Sequence, residues 1–194
     1  MLSKIFNWLK PFIGALILLA LLQVTGLMSS VSFYAQSALL KTGARNAGTE
    51  MIKNPESFDY NFTVRNAAGE RVKFDQYKGK VVFLNLWATW CGPCRAEMPT
   101  IESLYKQIDT TKVAFVILSI DRDIDEPKVG KFIDKFKYTF PVYRPSGYLT
   151  EQLDVPSIPT TFIISKDGKI VRKEVGATDF DTSKFRKFLE SLTL

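Results

Sequence analysis

Apolar residues fall into three patterns along this chain. The first is a block. Pro11 to Met28 is apolar apart from Gln23 and Thr25, and no charged residue occurs from Pro11 through Leu40. A helix apolar on all sides does not suit the core of a small domain, where one stripe faces inward. About 20 helical residues cross a bilayer core, so this block is long enough to span one. The second pattern is the short continuous run, at Val81 to Trp87 and Val113 to Ile120. Such runs predict strands buried on both faces, as in a parallel sheet. The third is helical spacing. Cys94, Met98, Ile101, Leu104, Tyr105 and Ile108 fall on one stripe at about 100° per residue. Arg95, Thr100, Ser103, Lys106 and Gln107 face away from it. Val129, Phe132, Ile133 and Phe136 predict a second amphipathic helix, and Phe185, Phe188, Leu189 and Leu192 a closing one.

Shorter signals fill the gaps. Tyr60, Phe62 and Val64 alternate with polar residues, Ala67-Ala68-Gly69 can turn, and Val72 and Phe74 follow, which predicts a β-hairpin. Lys78-Gly79-Lys80 is a turn before the first apolar run, and Phe140 to Tyr143 is a short apolar segment. Thr160 to Ser165 is a β-branched strand, Asp167-Gly168 a tight turn, and Ile170 to Val175 its antiparallel partner. Lys41 to Pro55 carries glycines and asparagines without apolar periodicity and reads as a tether. The organisation expected is an N-terminal membrane anchor over 1–40, a tether over 41–56, and an α/β domain over 57–194. A cleaved signal peptide is the competing reading of the first segment, with Ala35-Gln36-Ser37 as a small-residue cleavage site. That site lies far beyond the apolar centre at Ala15 to Leu22, which favours an uncleaved anchor. Lys4 and Lys10 lie closer to the run than Lys41 and Arg45, a slight bias toward a cytoplasmic N-terminus and an external domain.

Composition narrows the function. The 194 residues suffice for one packed domain with an appendage. The net charge of +6 is modest, and no basic run is interleaved with aromatics. Lys128, Lys131, Lys135 and Lys137 read as a solvated helix face, so no nucleic-acid partner is expected. The chain has no histidine, which excludes Ser-His-Asp and Cys-His hydrolases.

The chemistry concentrates in Trp90-Cys91-Gly92-Pro93-Cys94, which holds both cysteines of the chain where a buried strand gives way to a helix. Residues i and i+3 of a first helical turn share one side, so Cys91 and Cys94 can close a small disulfide. Free N–H groups and the dipole at a helix start favour the thiolate form of Cys91. Cys94, deeper, can resolve a mixed disulfide formed at Cys91. Pro93 suits a helix start, where its missing N–H costs nothing. A structural zinc needs four ligands and a c-type haem needs a histidine after the second cysteine, where Arg95 stands; neither metal nor cofactor is expected. Glu97 is the one charge inside the stripe that carries Cys94, which points to a raised pKa and a proton-handling role, against the alternative of a side chain lying at the stripe's edge. Asn85 interrupts the strand run; an amide cannot ionise, and it reads as a hydrogen-bonded core group.

The pentapeptide resembles the active-site motif of thioredoxins. The longer run from Asn85 to Pro99, together with Ser157-Ile158-Pro159-Thr160-Thr161-Phe162, resembles the TlpA/ResA branch of membrane-tethered extracytoplasmic thioredoxins, over roughly Ser57 to the C-terminus. The resemblance implies a thioredoxin-like mixed sheet flanked by helices, with an N-terminal β-hairpin extension and a transmembrane helix. It also implies an insertion before Phe140. It places an active-site glutamate at Glu97 and a cis Ile158–Pro159 bond beside Cys91. Trp90, Gly92, Pro93, Ile158 and Pro159 would then form the substrate groove, with the Ile158 backbone pairing an extended segment. Thioredoxins commonly bury an aspartate six residues before the first cysteine; Asn85 departs from that. The expected activity is thiol–disulfide exchange, in the reducing direction indicated by Gly92-Pro93. Disulfide-containing exported proteins such as apocytochromes c are the implied substrates, and a transmembrane thiol carrier the implied donor. The implied location is the bacterial cytoplasmic membrane, single-pass, with the domain facing the periplasm or cell exterior. Two rivals stand beside it. A thiol peroxidase would carry a proline and a Thr/Ser where Leu84 and Ala88 occur. A membrane-tethered peptide-binding or chaperone module would have no use for a reactive dithiol.

Overall fold

A computed structural model describes residues 12–18, 21 and 27–194. Its centre is a seven-stranded mixed sheet with strand order β2-β1-β5-β4-β3-β6-β7. The strands are β1 Thr63–Arg65, β2 Arg71–Lys73, β3 Val81–Trp87, β4 Val113–Ser119, β5 Val142–Pro145, β6 Thr160–Ile164 and β7 Ile170–Val175. β3 and β4 run parallel in register from Val81↔Val113 to Trp87↔Ser119, and β5 continues the parallel set. β6 pairs antiparallel with β3, and β7 with β6. The β1–β2 hairpin adds to the β5 edge through β1.

All seven residues of β3 and of β4 are buried, as their unbroken apolar runs predict. Alternation then divides the core. Val81, Phe83 and Trp87 join one cluster, Val82, Leu84 and Leu86 the other. Four helices are described in full: α1 Leu27–Lys41, α2 Gly92–Gln107, α3 Glu126–Phe136 and α4 Ser183–Ser191. Side chains of α2, α3 and α4 all pack into the first cluster. The second face is closed by an aromatic group, Phe58, Tyr60 and Phe62 from the irregular segment before β1 and Phe74 from the short 3-10 turn after β2. Phe74 is fully buried and stacks on Phe62 with ring centroids 4.3 Å apart.

The expected stripe on α2 faces the core: Cys94, Met98, Ile101 and Leu104 are fully buried, Ile108 is buried just beyond, and Tyr105 is half-buried. The helix continues past Pro99, whose ring is exposed.

Two N-terminal expectations meet a more particular picture. The membrane span expected over 11–28 falls partly outside the described residues, and among those described no helix is long and apolar enough to cross a membrane. The stretch expected as a tether lies along the domain. Ala47 N–H donates to Asp179 O and Ile52 N–H to Val171 O. The Arg45 guanidinium donates to the carbonyls of Ala177 and Val175, and Ala47 is buried in the core. Without apolar periodicity the segment forms no element of its own, yet its backbone groups pair with β7 and the loop after it.

Candidate active site

Cys91 stands four residues past the end of β3, as the N-cap of α2. Its φ of −83° and ψ of 108° are extended, the conformation of a cap rather than of a helical residue. Cys94 N–H donates to Cys91 Sγ at 3.1 Å, so the sulfur does what a Ser or Asp oxygen does at other helix starts. A sulfur that accepts from a helix-start N–H is a better place for negative charge than one in solvent. Pro93 occupies the first turn, where no N–H is needed. Cys91 and Cys94 are joined as a disulfide with Cα atoms 5.3 Å apart. Cys94 is fully buried and Cys91 retains a small exposure, the asymmetry needed by an attacking and a resolving sulfur.

The loop before β6 completes the site. The Ile158–Pro159 peptide bond is cis, and Cys91 Sγ lies 3.7 Å from the Ile158 carbonyl oxygen. Pro159 is buried and Ile158 half-buried. Trp90, directly before Cys91 in the chain, is 61% exposed. Gly92 is buried, and Pro93 half-buried. All the residues expected at the site therefore sit at the C-terminal end of β3, where α/β sheets place their chemistry.

Glu97 lies one turn beyond Cys94 with no exposed surface, so it does not reach the helix edge. Its Oε1 accepts from Asn85 Nδ2 at 2.8 Å and its Oε2 from Thr178 N–H at 3.2 Å. Burial pushes its pKa up to about 8; the bonds from Asn85 and Thr178, and the charge of Arg45, oppose the rise without cancelling it. A carboxyl that titrates near neutral pH can both take up and give back a proton, which is what a general acid–base group must do. Asn85 also donates to Thr161 Oγ1 at 2.9 Å, which fixes its place between β3 and β6.

Two features escaped the sequence reading. Asp121, buried just after β4, accepts from Thr89 N–H at 2.9 Å, Thr89 Oγ1 at 2.6 Å and Ser119 Oγ at 2.7 Å. It thereby holds the turn that carries Trp90. An acid directly after a buried strand, at the end that carries the cysteines, was the available signal. Glu102 is a second buried carboxylate on α2, and Thr139 and Lys106 satisfy it.

Comparison with known proteins agrees with this geometry. The Redoxin family model matches residues 55–189. The thiol-disulfide oxidoreductase ResA of Bacillus cereus is 38% identical over 117 residues, which are 60% of this chain and 66% of that protein. ResA of Halalkalibacterium halodurans is 30% identical over 159 residues, 81% of this chain and 84% of that protein. The crystal structure of StoA from Bacillus subtilis superposes with a TM-score of 0.54 at 25% identity, covering 74% of this chain and 100% of that one. Cysteine pair, sheet and relatives converge: the chain belongs to the redoxin family, as a thiol–disulfide oxidoreductase of the ResA type with Cys91 and Cys94 as its CXXC pair.

Proposed function

We propose that this oxidoreductase reduces disulfides of exported proteins, apocytochromes c among them, from a membrane-anchored position outside the cytoplasm. The observation that carries the catalytic part is Cys91 at the N-cap of α2, receiving the Cys94 N–H and facing the Ile158 carbonyl. In the reduced enzyme the Cys91 thiolate attacks one sulfur of a substrate disulfide. A Cys91–substrate bond forms, and the other substrate sulfur leaves as a thiolate. Cys94 gives up its proton to Glu97 and attacks Cys91 Sγ, which releases the second substrate sulfur and closes the Cys91–Cys94 disulfide. A donor dithiol, for which a transmembrane thiol carrier is the candidate, then returns two electrons and two protons. Trp90, Gly92, Pro93 and the Ile158–Pro159 loop frame the groove. An extended substrate segment can pair with the Ile158 backbone.

The apolar block Pro11 to Met28 supports the anchored placement, and oxidising compartments are where protein disulfides persist and need reduction. The Gly92-Pro93 dipeptide supports the reducing direction, with a potential nearer about −270 mV than about −120 mV.

The test is a Cys94→Ser trap, which freezes the Cys91 mixed disulfide and identifies its partners. Exported proteins in the trapped set are expected; a set of cytoplasmic proteins overturns the placement. In parallel, a membrane-impermeant thiol reagent on intact cells after mild reduction is expected to label Cys91. Labelling only after lysis counts against an external domain. Insulin reduction unchanged by Cys91→Ser would sink the catalytic assignment.

A further inference from the structure

Helix α1, Leu27–Lys41, lies across the start of the catalytic helix. Its inward residues recur at helical spacing: Ser29, Ser32 and Phe33, Gln36 and Ser37, then Leu40. Small residues face Gly92. A methyl group on Gly92 would lie 2.5 Å from the Ser29 carbonyl oxygen and 2.9 Å from Ser32 Cβ, so the two backbones meet as closely as glycine permits. Further along, Phe33 receives the Arg95 guanidinium over its ring at 5.2 Å. Leu40 packs with Ala96 and Ala177 in a small cluster of its own. Gly92 is buried against α1 and the neighbouring Cys91 is only 6% exposed, while Trp90, on the other side of Cys91 in the chain, is 61% exposed.

We propose that α1 is a substrate-selecting wall: it closes the Gly92 side of the reactive disulfide, so that Cys91 is approached only from the side of Trp90 and the Ile158–Pro159 loop. This rests on the exchange chemistry assigned above and adds which disulfides can reach it. A disulfide on an extended or small substrate can enter between Trp90 and Ile158. One held in a folded body needs room on both sides of Cys91, and the wall denies it. The wall is also shallow. Of its fifteen residues only Leu40 is fully buried, so the end over Gly92 is held by surface contacts and can be pried away without opening the core.

Two full-chain variants test this. Ser32→Leu places a wedge where the packing leaves no space, and Phe33→Ala removes the ring under Arg95. Each is compared with the unaltered protein for the rate of reducing glutathione disulfide, a small probe, and insulin, a folded one. The expected result is a rise in the insulin rate relative to the glutathione rate of roughly tenfold for Ser32→Leu, within the range that exclusion from a shaped pocket imposes. A smaller rise in the same direction is expected for Phe33→Ala. Alkylation of reduced Cys91 gives an independent readout: a bulky polymer maleimide gains speed in both variants, whereas iodoacetamide does not. An unchanged ratio in both variants, or equal acceleration of both probes, overturns the wall. Loss of glutathione disulfide reduction in the unaltered protein would instead count against the exchange chemistry itself.

Discussion

Asn85 and Glu97, twelve residues apart in sequence, meet at 2.8 Å in the core, the amide of Asn85 donating to the carboxyl of Glu97. The strand that supplies Asn85 and the helix that carries both Cys94 and Glu97 are thereby tied together within one helical turn of Cys94. A proton on Glu97 is thus a structural matter as well as a catalytic one.

The linkage gives the first prediction. The carboxyl of Glu97 has an ordinary value of 4.5 and is pushed up to about 8 by burial. Between those two values the unfolded chain has lost a proton that the folded chain keeps. Stability therefore declines as pH rises through this window, by at most about 1.4 kcal/mol per unit of pH. Glu97→Gln cannot ionise and removes that decline. Its amide also turns an N–H₂ or an oxygen toward Thr178 N–H, so a constant offset accompanies the change. The slope is the test: urea melts from pH 5 to pH 9 are expected to be flatter for the variant. Parallel slopes would mean that Glu97 is already ionised when buried.

The same carboxyl predicts a kinetic effect. If Glu97 takes the Cys94 proton during resolution, Glu97→Gln slows release of reduced substrate from the mixed disulfide, typically by 10²–10⁴-fold on the scale of about 3–5 kcal/mol for a general base. Glu97 and the thiols form a coupled set, so the apparent pKa of the pH–rate profile moves as a whole. Stopped-flow traces across pH read both effects. Coincident profiles would leave Glu97 a packing residue.

Asn85→Asp introduces the residue type common at this position in thioredoxins and sets two carboxyls within hydrogen-bond reach. Both cannot ionise together in so buried a place, so they would share one proton. At acidic pH the variant is expected to melt close to the parent. Toward alkaline pH it is expected to lose stability more steeply than the parent does. Thermal melts at pH 5 and pH 8.5 check this, and equal losses at both would show that the amide is replaceable whatever its charge.

Much of this arrangement was legible beforehand. Val81 to Trp87 and Ile170 to Val175 read as strands because local pattern and tertiary role agree there, and their observed limits match. Glu97 was legible because a lone charge in an apolar stripe contradicts its neighbours. What could not be read was partnership across the chain. Nothing in Asp121 announces that it will meet Thr89, and nothing in Ser29 or Ser32 marks them as the residues that let α1 press on Gly92. The stretch from Leu27 to Leu40 read as part of an apolar anchor because its inward residues, though helically spaced, are mostly small and uncharged and give no apolar stripe. Residues 41–56 read as a tether because they are held by backbone hydrogen bonds and by the Arg45 guanidinium on two carbonyls, neither of which leaves an apolar periodicity.

The aromatic lid on the second face predicts a stability effect without a catalytic one. Phe74 is fully buried and touches Phe58, Tyr60, Phe62 and Tyr77. Phe74→Ala is expected to cost about 3–5 kcal/mol. The site lies at the end of β3, away from this cluster, so insulin reduction below the melting range is expected to stay within about twofold of the parent, as for a substitution that leaves the reacting groups in place. Chemical denaturation measures the first, and a loss of activity without a loss of stability would contradict the separation.

Asp121 predicts the reverse balance. Its two oxygens accept three donors, two from Thr89 and one from Ser119, and the turn they hold carries the exposed Trp90 to the edge of the groove. Asp121→Asn keeps the shape but replaces one accepting oxygen with an N–H₂ that faces a donor. A buried donor left without a partner costs about 1–3 kcal/mol, so a modest loss of stability is expected. The larger effect falls on binding. The β3–α2 connection gains freedom, and the Cys91 sulfur and the Trp90 ring no longer share a fixed geometry. A rise in KM for insulin with a smaller fall in kcat is the expected signature, since uniform binding is lost before the exchange step. Thr89→Val, which removes only the hydroxyl donor and keeps the backbone bond, should fall between parent and Asp121→Asn in both readouts. If Asp121→Asn lowers stability while leaving KM and kcat unchanged, the network supports the strand end and has no part in presenting the groove.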